Sequence, residues 1–371
     1  MSRDFASLHH DVVFGQAEGQ IIWQPRIGCW VKDRVFAGEP FPPPFTGMDR
    51  YDIYRELDCS ARLYEYNRCY KRIEHPAVKV TQTPLNETDT RTTIHTPVGD
   101  QVAVHRRTTS SWHLITVEWE VSSEEELKVA TWREAHTAWQ WDQAAYDDLQ
   151  ARVGDLGAPT MFMPRMNVQS LYINLMGTQN GIYAIYDWPD TVEAYFRALE
   201  ASHDRLIEVI NRSPIDIINF GENVHAGTLS PELFLKYHLP ACRRRADKLH
   251  AAGKFVHAHW DGDVKPLLPY VQETELDGIE AITPEPQGDV TLAEVQAALG
   301  DEMFLIDGIP AIYFDTTFSV DTLVDCTHEI IDRFAPHLVL GISDEISSTG
   351  DLARIRVVRE IVDDYNARVR R

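Results

Sequence analysis

The fold is clearest in residues 230–260, which read SPELFLKYHLPACRRRADKLHAAGKFVHAHW. Ser230 is placed to act as a helix N-cap, with Pro231 and Glu232 in the first turn. Gly253 suits the C-terminal end of the same helix. The segment KFVHAHW then opens with strand-forming residues. This stretch therefore predicts a helix that leads directly into a buried strand.

The same alternation of strand and helix extends from residue 160 to the end of the chain. Short apolar strands are predicted at TMFMPRM, DIINFGE, KFVHAHW, GIEAIT, MFLIDG and HLVLGISDE, with a first strand at QIIWQPRIGCW. Repeated strand–helix units form a parallel sheet. We therefore expect an α/β fold, a single (β/α)8 TIM barrel over residues 1–371. A doubly wound open sheet is the alternative, but no Gly-rich phosphate loop follows these strands.

Residues 77–120 have a different pattern. The segments AVKVTQT, RTTIHT, QVAVHRR and WHLITVEWEV are rich in β-branched residues, and turn signals such as PVGD separate them. We expect an antiparallel β excursion that belongs to the barrel domain.

The composition limits the partners and the compartment. A formal net charge of −22 disfavours nucleic acid and anionic membranes, because the field of the protein repels both. The five cysteines form no CxxC pair, which indicates free thiols in a reducing compartment. No apolar targeting or membrane segment is seen. We expect a cytoplasmic protein that binds a small molecule; the sequence leaves a homodimer open.

Polar or ionisable side chains end almost every predicted parallel strand. They are Arg165, Asn167, Glu222, His257, His259, Glu280, Asp307 and Asp344. Active sites of TIM barrels lie at the carboxyl ends of the strands. The coincidence across six strands therefore predicts a functional site at that end of the sheet.

The HAH pair suggests what the site binds. Residues two apart on a strand share a face, so His257 and His259 can face one cavity. Two imidazoles and a carboxylate are a common ligand set for zinc and other divalent metals, and Glu222 and Asp344 are placed to complete it. The alternative is a pair of hydrogen-bonded core histidines. Asp261 and Asp263 are expected to cap the next helix, and the arginine run at 243–245 to be solvated.

A resemblance to a known family enters at residues 221–269, GENVHAGTLSPELFLKYHLPACRRRADKLHAAGKFVHAHWDGDVKPLLP. This block resembles the centre of the uroporphyrinogen decarboxylase superfamily, whose fold is a single (β/α)8 barrel. GIEAITPEPQGDVTLAEVQAALGD and LVLGISDEISSTGDLARIRVVREIV extend the similarity. True decarboxylases of this family bind their tetrapyrrole with an arginine-rich motif, of which WQPRIGCW keeps only Arg26. Porphyrinogen decarboxylation is therefore not expected.

The corrinoid-linked methyltransferase branch of that superfamily binds zinc through a carboxylate, a His-x-Cys pair and a later cysteine. By position, the resemblance transfers these ligands to Glu222, His257, His259 and Asp344. An imidazole and a carboxylate thus replace the two thiolates, and the replacements are themselves metal ligands. The resemblance therefore implies a divalent metal, zinc in the first place, with a harder ligand set than the family pattern.

The function that the resemblance implies is methyl transfer between a small substrate, methoxylated compounds included, and a corrinoid on a partner protein. The metal would act as a Lewis acid on the heteroatom that carries the methyl group. Asp307, Glu280 and His225 are candidate proton donors. Candidate substrate-binding residues are Arg26, Arg165, Asn167 and Trp260. The alternatives are a lyase for a small carboxylic acid, gripped by Arg26 or Arg165, and a barrel without catalytic activity.

Overall fold

The computed structural model describes residues 3–371. Its strands are β1 Ile22–Gln24, β2 Tyr70–Ile73, β3 Lys79–Pro84, β4 Asp89–Thr96, β5 Gly99–Arg106, β6 Ile115–Glu118, β7 Ala138–Trp141, β8 Thr160–Met163, β9 Ile217–Val224, β10 Phe255–Trp260, β11 Gly278–Glu280, β12 Phe304–Pro310 and β13 Leu338–Ser343. Its helices are α1 Phe5–Val13, α2 Gly28–Ala37, α3 Arg50–Leu57, α4 Glu124–Ala135, α5 Gln143–Val153, α6 Asn167–Gln169, α7 Thr178–Asp187, α8 Pro189–Asn211, α9 Pro231–Leu233, α10 Leu239–His250, α11 Leu292–Leu299, α12 Val320–Phe334 and α13 Ala353–Val369.

The central sheet is parallel and has the strand order β1-β13-β12-β11-β10-β9-β8. These are the seven strands that the sequence predicted between residues 20 and 345. Their register places His257 of β10 opposite Asn219 of β9, and His259 opposite Glu280 of β11. Side chains from neighbouring strands are therefore brought to one level at the carboxyl end of the sheet.

Within residues 3–371, the central parallel sheet has seven regular strands, whereas the predicted (β/α)8 barrel has eight. An irregular segment lies between the edge strands β1 and β8 instead. The Ser60 amide donates to the Trp23 carbonyl at 3.1 Å, and Leu63 forms a single parallel bridge with Pro159. The sheet thus has the curvature and neighbours of a barrel, with loop-like backbone where the last strand would pair.

The amino end of the sheet is closed by α1. Phe5, Val12 and Val13 of this helix form an apolar cluster with Phe255 and Phe304, which begin β10 and β12. Because this apolar cluster covers the amino end, the carboxyl ends of the strands are the accessible end of the sheet.

The predicted β excursion is present as an antiparallel sheet with the order β3-β4-β5-β6. Its outer strand β3 is exposed at every position, while α4 packs against β5. A separate antiparallel pair, β2 and β7, flanks this sheet in sequence.

The helix predicted over residues 230–253 is interrupted. Ser230 caps α9 through its hydroxyl, as expected, but a π turn at Phe234–His238 separates α9 from α10. Pro240 explains the turn, because it cannot donate a hydrogen bond to the carbonyl four residues earlier. Within residues 3–371, no helix is both long and apolar enough to cross a membrane.

Candidate active site

A cavity of about 590 Å³ opens at the carboxyl end of the parallel sheet. Four of the predicted site residues line its wall: Arg26, Arg165, His259 and Asp344. The cavity lies where the strand-end argument placed it, and its volume is in the range that small organic ligands fill.

A buried charge network, which we call the inner cluster, lies beside this cavity. Arg62 donates to Glu280 at 2.6 Å and to the two oxygens of Asp307 at 2.8 and 3.1 Å. Arg26 adds longer contacts to the same carboxylates at 3.4 and 3.5 Å. The two carboxylates are fully buried, at 0% exposure. Gly341 of β13 makes this possible, because a Cβ at that position would overlap the Asp307 carboxylate.

The inner cluster also includes an amide, a phenol and the two histidines. Tyr64 donates to both oxygens of Glu280 at 3.0 and 3.1 Å, and Asn219 donates to Glu280 and to the Tyr64 oxygen. The Nδ1 atoms of His257 and His259 each lie 3.7 Å from one Glu280 oxygen. Glu280 is therefore the centre of the cluster, surrounded by donors.

Protonation in the inner cluster follows from burial and the arginines. Burial alone raises the pKa of Glu280, but Arg62, His259 and Arg26 outweigh it and hold this pKa well below its usual value. Burial raises the pKa of Asp307, and the charge of Glu280 adds to the shift. Glu280 is thus the carboxylate that stays ionised.

The two histidines differ in charge. Burial lowers the pKa of His257 to about 3, so its imidazole is neutral. Burial also acts to lower the pKa of His259, but the neighbouring carboxylates of Asp261 and Glu280, 3.8 and 3.7 Å away, reverse the effect and raise it to about 9. His259 is therefore an imidazolium at neutral pH, and it is the histidine of the pair that lines the large cavity.

A second group, which we call the rim triad, consists of Arg165, Asn223 and Asp261. Arg165 donates to the Asn223 side-chain oxygen at 2.6 Å, and Asn223 donates to Asp261 at 3.2 Å. The same Asp261 oxygen lies 3.8 Å from Nε2 of His259. The triad therefore connects directly to the charged histidine.

Asp261 and Asp263 were expected to cap the next helix, and this prediction is wrong for both. The following turn at Lys265–Tyr270 is capped by Asp289, which accepts hydrogen bonds from the amides of Val264 and Lys265. Asp261 is free to turn toward His259 because a residue distant in sequence supplies the cap.

The four predicted metal ligands are not brought together. Glu222 is fully buried, accepts the Met166 amide at 3.1 Å, and lies 3.7 Å from Arg245. Asp344 lies at the rim, 59% exposed and 3.8 Å from Arg26. Across residues 3–371, no three His, Cys, Asp or Glu side chains are grouped so as to hold a metal ion. The two histidines face Glu280 instead, so this ligand set does not fit a metal as it is arranged.

Arg245 explains the position of Glu222. The arginine run at 243–245 was expected to be solvated, but Arg245 is completely buried and also binds Glu200 at 2.8 Å. A buried guanidinium attracts the nearest carboxylates, which compensate its charge. Glu222 therefore turns toward α10. Burial raises its pKa to about 7.

Three other predicted site residues lie outside the large cavity. The side-chain amide of Asn167 donates a hydrogen bond to the Tyr237 carbonyl at 2.7 Å. Trp260 is fully buried in the hydrophobic core and packs edge-on against Phe234. His225 contacts Thr228 at 3.1 Å and lines a smaller, neighbouring cavity.

The sequence prediction missed Arg62 and Tyr64, the two residues that tie the inner cluster together. They lie in SARLY (60–64), which carries no strand pattern of its own. Their spacing of two places both on one face of extended backbone. This is the same signal that identified His257 and His259.

No protein-family model matches the sequence, and no curated protein matches it. Among solved structures, the chain is similar to a methyltransferase from Methanosarcina mazei, with a TM-score of 0.58 and 12% identity over 96% of this chain and 97% of that chain. This likeness supports a TIM-barrel-like α/β fold, and at 12% identity it concerns the fold alone.

Two further structures are more distant. A B12-independent methionine synthase from Shewanella sp. W3-18-1 has a TM-score of 0.38 at 11% identity, covering 84% of this chain and 82% of its own. A type I 3-dehydroquinate dehydratase from Clostridium difficile has a TM-score of 0.33 at 11% identity, covering 61% and 74%. Neither score is high enough to support an argument about this chain.

Proposed function

We propose that this chain is an enzyme that transfers a methyl group from a small methylated substrate to a corrinoid carried by a partner protein. The observation that supports the proposal most directly is the charged His259, a proton donor on the wall of the large cavity. The sequence resemblance to corrinoid-linked methyltransferases and the fold likeness to a methyltransferase from Methanosarcina mazei support it from a different direction.

His259 would supply the proton that the reaction requires. The methyl carbon gains a bond to the reduced acceptor, which supplies the electron pair of that bond, as its bond to the substrate heteroatom breaks. The heteroatom keeps the electron pair of the broken bond and takes the proton from His259. Asp261 and Glu280, on either side of the imidazole, stabilise its charged form before transfer. General acid catalysis of this kind contributes about 100- to 10,000-fold in rate.

The large cavity suits the methylated substrate and not the acceptor. A volume of about 590 Å³ is typical of a small-molecule site, whereas a corrinoid ring is larger. The acceptor would therefore approach from outside the cavity mouth, past Arg26 and Asp344. A partner protein that presents the corrinoid at the carboxyl end of the sheet would satisfy this geometry.

Zinc would be the expected activator of the leaving group from the sequence resemblance. Because Glu222 is directed at Arg245 and His257 and His259 are directed at Glu280, we assign the activation to proton transfer from His259. No step of the proposal depends on a metal ion.

The test is a methyl-transfer assay with reduced cobalamin and a panel of O-, N- and S-methylated small molecules, with methylcobalamin detected by absorbance. We expect His259→Asn to lower kcat/KM about 100-fold or more. The wild-type rate should fall as pH rises through about 9, because the acid form of His259 is lost there.

His328→Asn is the matched control, since this histidine is exposed on α12, far in sequence from the site residues. Its rate should stay within about twofold of wild type. Absence of methylcobalamin with every donor, or a rate that does not change between about pH 7 and 10, would contradict the proposal. A chelator should leave the rate unchanged.

A second candidate function is a lyase that releases carbon dioxide from a small carboxylic acid. The observation that favours it is Arg165, which lines the large cavity and has no carboxylate within 4.0 Å among residues 3–371. Arg165 would bind a second carboxylate that the substrate keeps, and His259 would protonate the carbanion left when the C–C bond to the departing carboxylate breaks. Release of carbon dioxide without methylcobalamin would favour this function over methyl transfer.

A further inference from the structure

A second cavity of about 260 Å³ adjoins the large one. Arg165 and Asn223 belong to the walls of both cavities, and Asp261 faces the smaller one. Gln169 and Tyr172, from the helical segment after β8, also line it, together with Thr178, Thr228 and His225. The wall of the smaller cavity therefore combines an arginine and an aspartate with several other polar side chains.

The two opposite charges in this wall are kept apart. Asn223 accepts from Arg165 at 2.6 Å and donates to Asp261 at 3.2 Å, so a direct ion pair is replaced by a bridge through an amide. Asn223 has a backbone φ of 54°, in the left-handed region that costs a side-chain-bearing residue free energy. Asparagine tolerates this region better than most residues, so the backbone conformation suits an asparagine that bridges the two charged side chains.

Four buried polar atoms that belong to residues of this wall lack a hydrogen-bond partner among residues 3–371. They are Nε of Arg165, the hydroxyl of Tyr172, Oε1 of Gln169 and Oδ1 of Asp261. Gln169 is 1% exposed and Tyr172 is 2% exposed. Each buried polar atom without a partner costs about 1–3 kcal/mol. Two of the four are donors or can donate, and two are acceptors.

We infer that the smaller cavity binds the zwitterionic head group of a free α-amino acid. The α-carboxylate is held by Arg165 and Tyr172, and the α-ammonium group is held by Asp261 and Gln169. This inference rests on the proposed function and specifies its substrate class as a methylated amino acid. The side chain of the ligand extends past Asp261 toward His259. These two residues approach each other to 3.8 Å.

A zwitterion fits this wall better than a neutral polar group does. A carboxamide or a diol would satisfy the hydrogen bonds, but it would leave the Arg165 charge without an anion. Charge-assisted hydrogen bonds are about twice as strong as neutral ones. A simple carboxylate would satisfy Arg165 and leave the acceptor atoms of Gln169 and Asp261 without donors. A ligand that carries both charges pairs all four atoms and also supplies an anion for Arg165 and a cation for Asp261.

The experiment is calorimetric titration of the full-length protein with L-methionine and O-methyl-L-serine as probes. Each probe is compared with its deaminated acid and its decarboxylated amine, which keep the methylated side chain and lose one charge. We expect saturable binding of at least one zwitterion, weaker by about tenfold or more when either charged group is removed.

Variants locate the binding. Arg165→Gln and Asp261→Asn should each lower the affinity for the zwitterion by about tenfold or more. The affinity of Arg165→Lys should lie between those of wild type and Arg165→Gln. Arg212→Gln is the matched control, because the side chain of Arg212 is 79% exposed on the surface. Thermal unfolding of each variant checks that it is folded; if a variant is not, the wild-type series with the three forms of each probe still decides.

The inference is overturned if neither zwitterion binds, if the deaminated acid binds as tightly as its parent, or if folded Arg165→Gln binds as wild type does. Its failure can be told apart from failure of the proposed function. Zwitterion binding without methyl transfer would support this inference and contradict the proposed function. Methyl transfer from a donor that is not a zwitterion, at a rate that Arg165→Gln does not change, would support the proposed function and contradict this inference.

Discussion

The inner cluster and the rim triad lie at the same end of the sheet, and each combines arginine, carboxylate and asparagine. In the inner cluster, Arg62 contacts Glu280 and Asp307 directly, at 2.6 and 2.8 Å. In the rim triad, Asn223 stands between Arg165 and Asp261. In the first arrangement the arginine and the carboxylates pair directly, and the unpartnered atoms belong to Asn219 and the two histidines. The second leaves hydrogen-bonding atoms of both charged side chains without partners.

The two asparagines show how the difference arises. Asn219 points into the inner cluster and donates to Glu280 and Tyr64, so it adds hydrogen bonds to charges that are already paired. Asn223 separates two charges that would otherwise pair. A balanced buried network fixes positions, whereas a separated pair retains its affinity for a ligand. We therefore assign positioning of His259 to the inner cluster and ligand binding to the rim triad.

The largest expected effect is on stability, from Glu280→Gln. This change leaves Arg62 and Arg26 buried with Asp307 as their nearest carboxylate. Removing one partner from a buried ion pair typically costs about 3–5 kcal/mol, and we expect a loss of that size in the free energy of unfolding measured with urea. Loss of the Glu280 charge should also lower the pKa of His259, which NMR titration of the ring can follow.

Asp344→Asn is the control for this prediction, because Asp344 also approaches Arg26, at 3.8 Å, but is 59% exposed. Exposed ion pairs contribute about 0–1 kcal/mol, so the free energy of unfolding should change by less than about 1 kcal/mol. Equal losses in the two variants would mean that the inner cluster is no more stabilising than a surface pair.

A second prediction concerns pH, and it contrasts Glu222 with Glu280. Burial raises the pKa of Glu222 from 4.5 to about 7, so the folded state binds the proton more tightly than the unfolded chain does. The free energy of unfolding should therefore fall as pH rises from about 4.5 to about 7, by on the order of 3 kcal/mol. The contribution of Glu280 to the free energy of unfolding depends on pH in the opposite direction. Because its pKa is lowered, that contribution is lost on acidification.

Urea unfolding of wild type and Glu222→Gln across this pH window measures the Glu222 contribution, because the neutral amide cannot titrate. The variant should gain stability relative to wild type as pH rises toward 7. Curves that stay parallel throughout would show that Arg245 keeps the carboxylate ionised at all these pH values.

Zinc titration of the same variant tests the metal interpretation of the sequence. Glu222 is held by Arg245 and the Met166 amide, so zinc uptake should be the same for Glu222→Gln and wild type. Loss of one equivalent of zinc in the variant would restore the ligand set that the sequence resemblance implied.

Most of the parallel sheet could be predicted from the sequence, because each strand and helix is encoded locally. Caps such as Ser230, apolar periodicity and turn residues are short-range signals. The carboxyl-end location of the site follows from these elements alone, since parallel strands present their ends together. The irregular segment around Leu63 was missed because it has the position of a strand without the pattern.

The pairing of charges could not be predicted in the same way. Arg62 and Glu280 are 218 residues apart, and nothing local indicates that they meet. Glu222 was expected to face a metal because it ends a strand, but its direction is set by Arg245, whose burial depends on tertiary packing. The sequence identified part of the site, including His259 and Glu280, but it missed Arg62 and Tyr64. Only the structure determines which carboxylate pairs with which cation.

The smallest expected effect is at Asn223, and it tests the rim triad directly. Asn223→Gly and Asn223→Ala both remove the amide bridge, but only glycine adopts a φ of 54° without steric cost. The alanine variant should therefore be less stable than the glycine variant by about 1 kcal/mol, as measured by urea unfolding. Zwitterion binding should weaken similarly in both variants, because the separation of Arg165 and Asp261 depends on the amide and not on the backbone. If the glycine variant bound as wild type does, the bridge would be incidental, and the contrast between the rim triad and the inner cluster would reduce to a difference in burial.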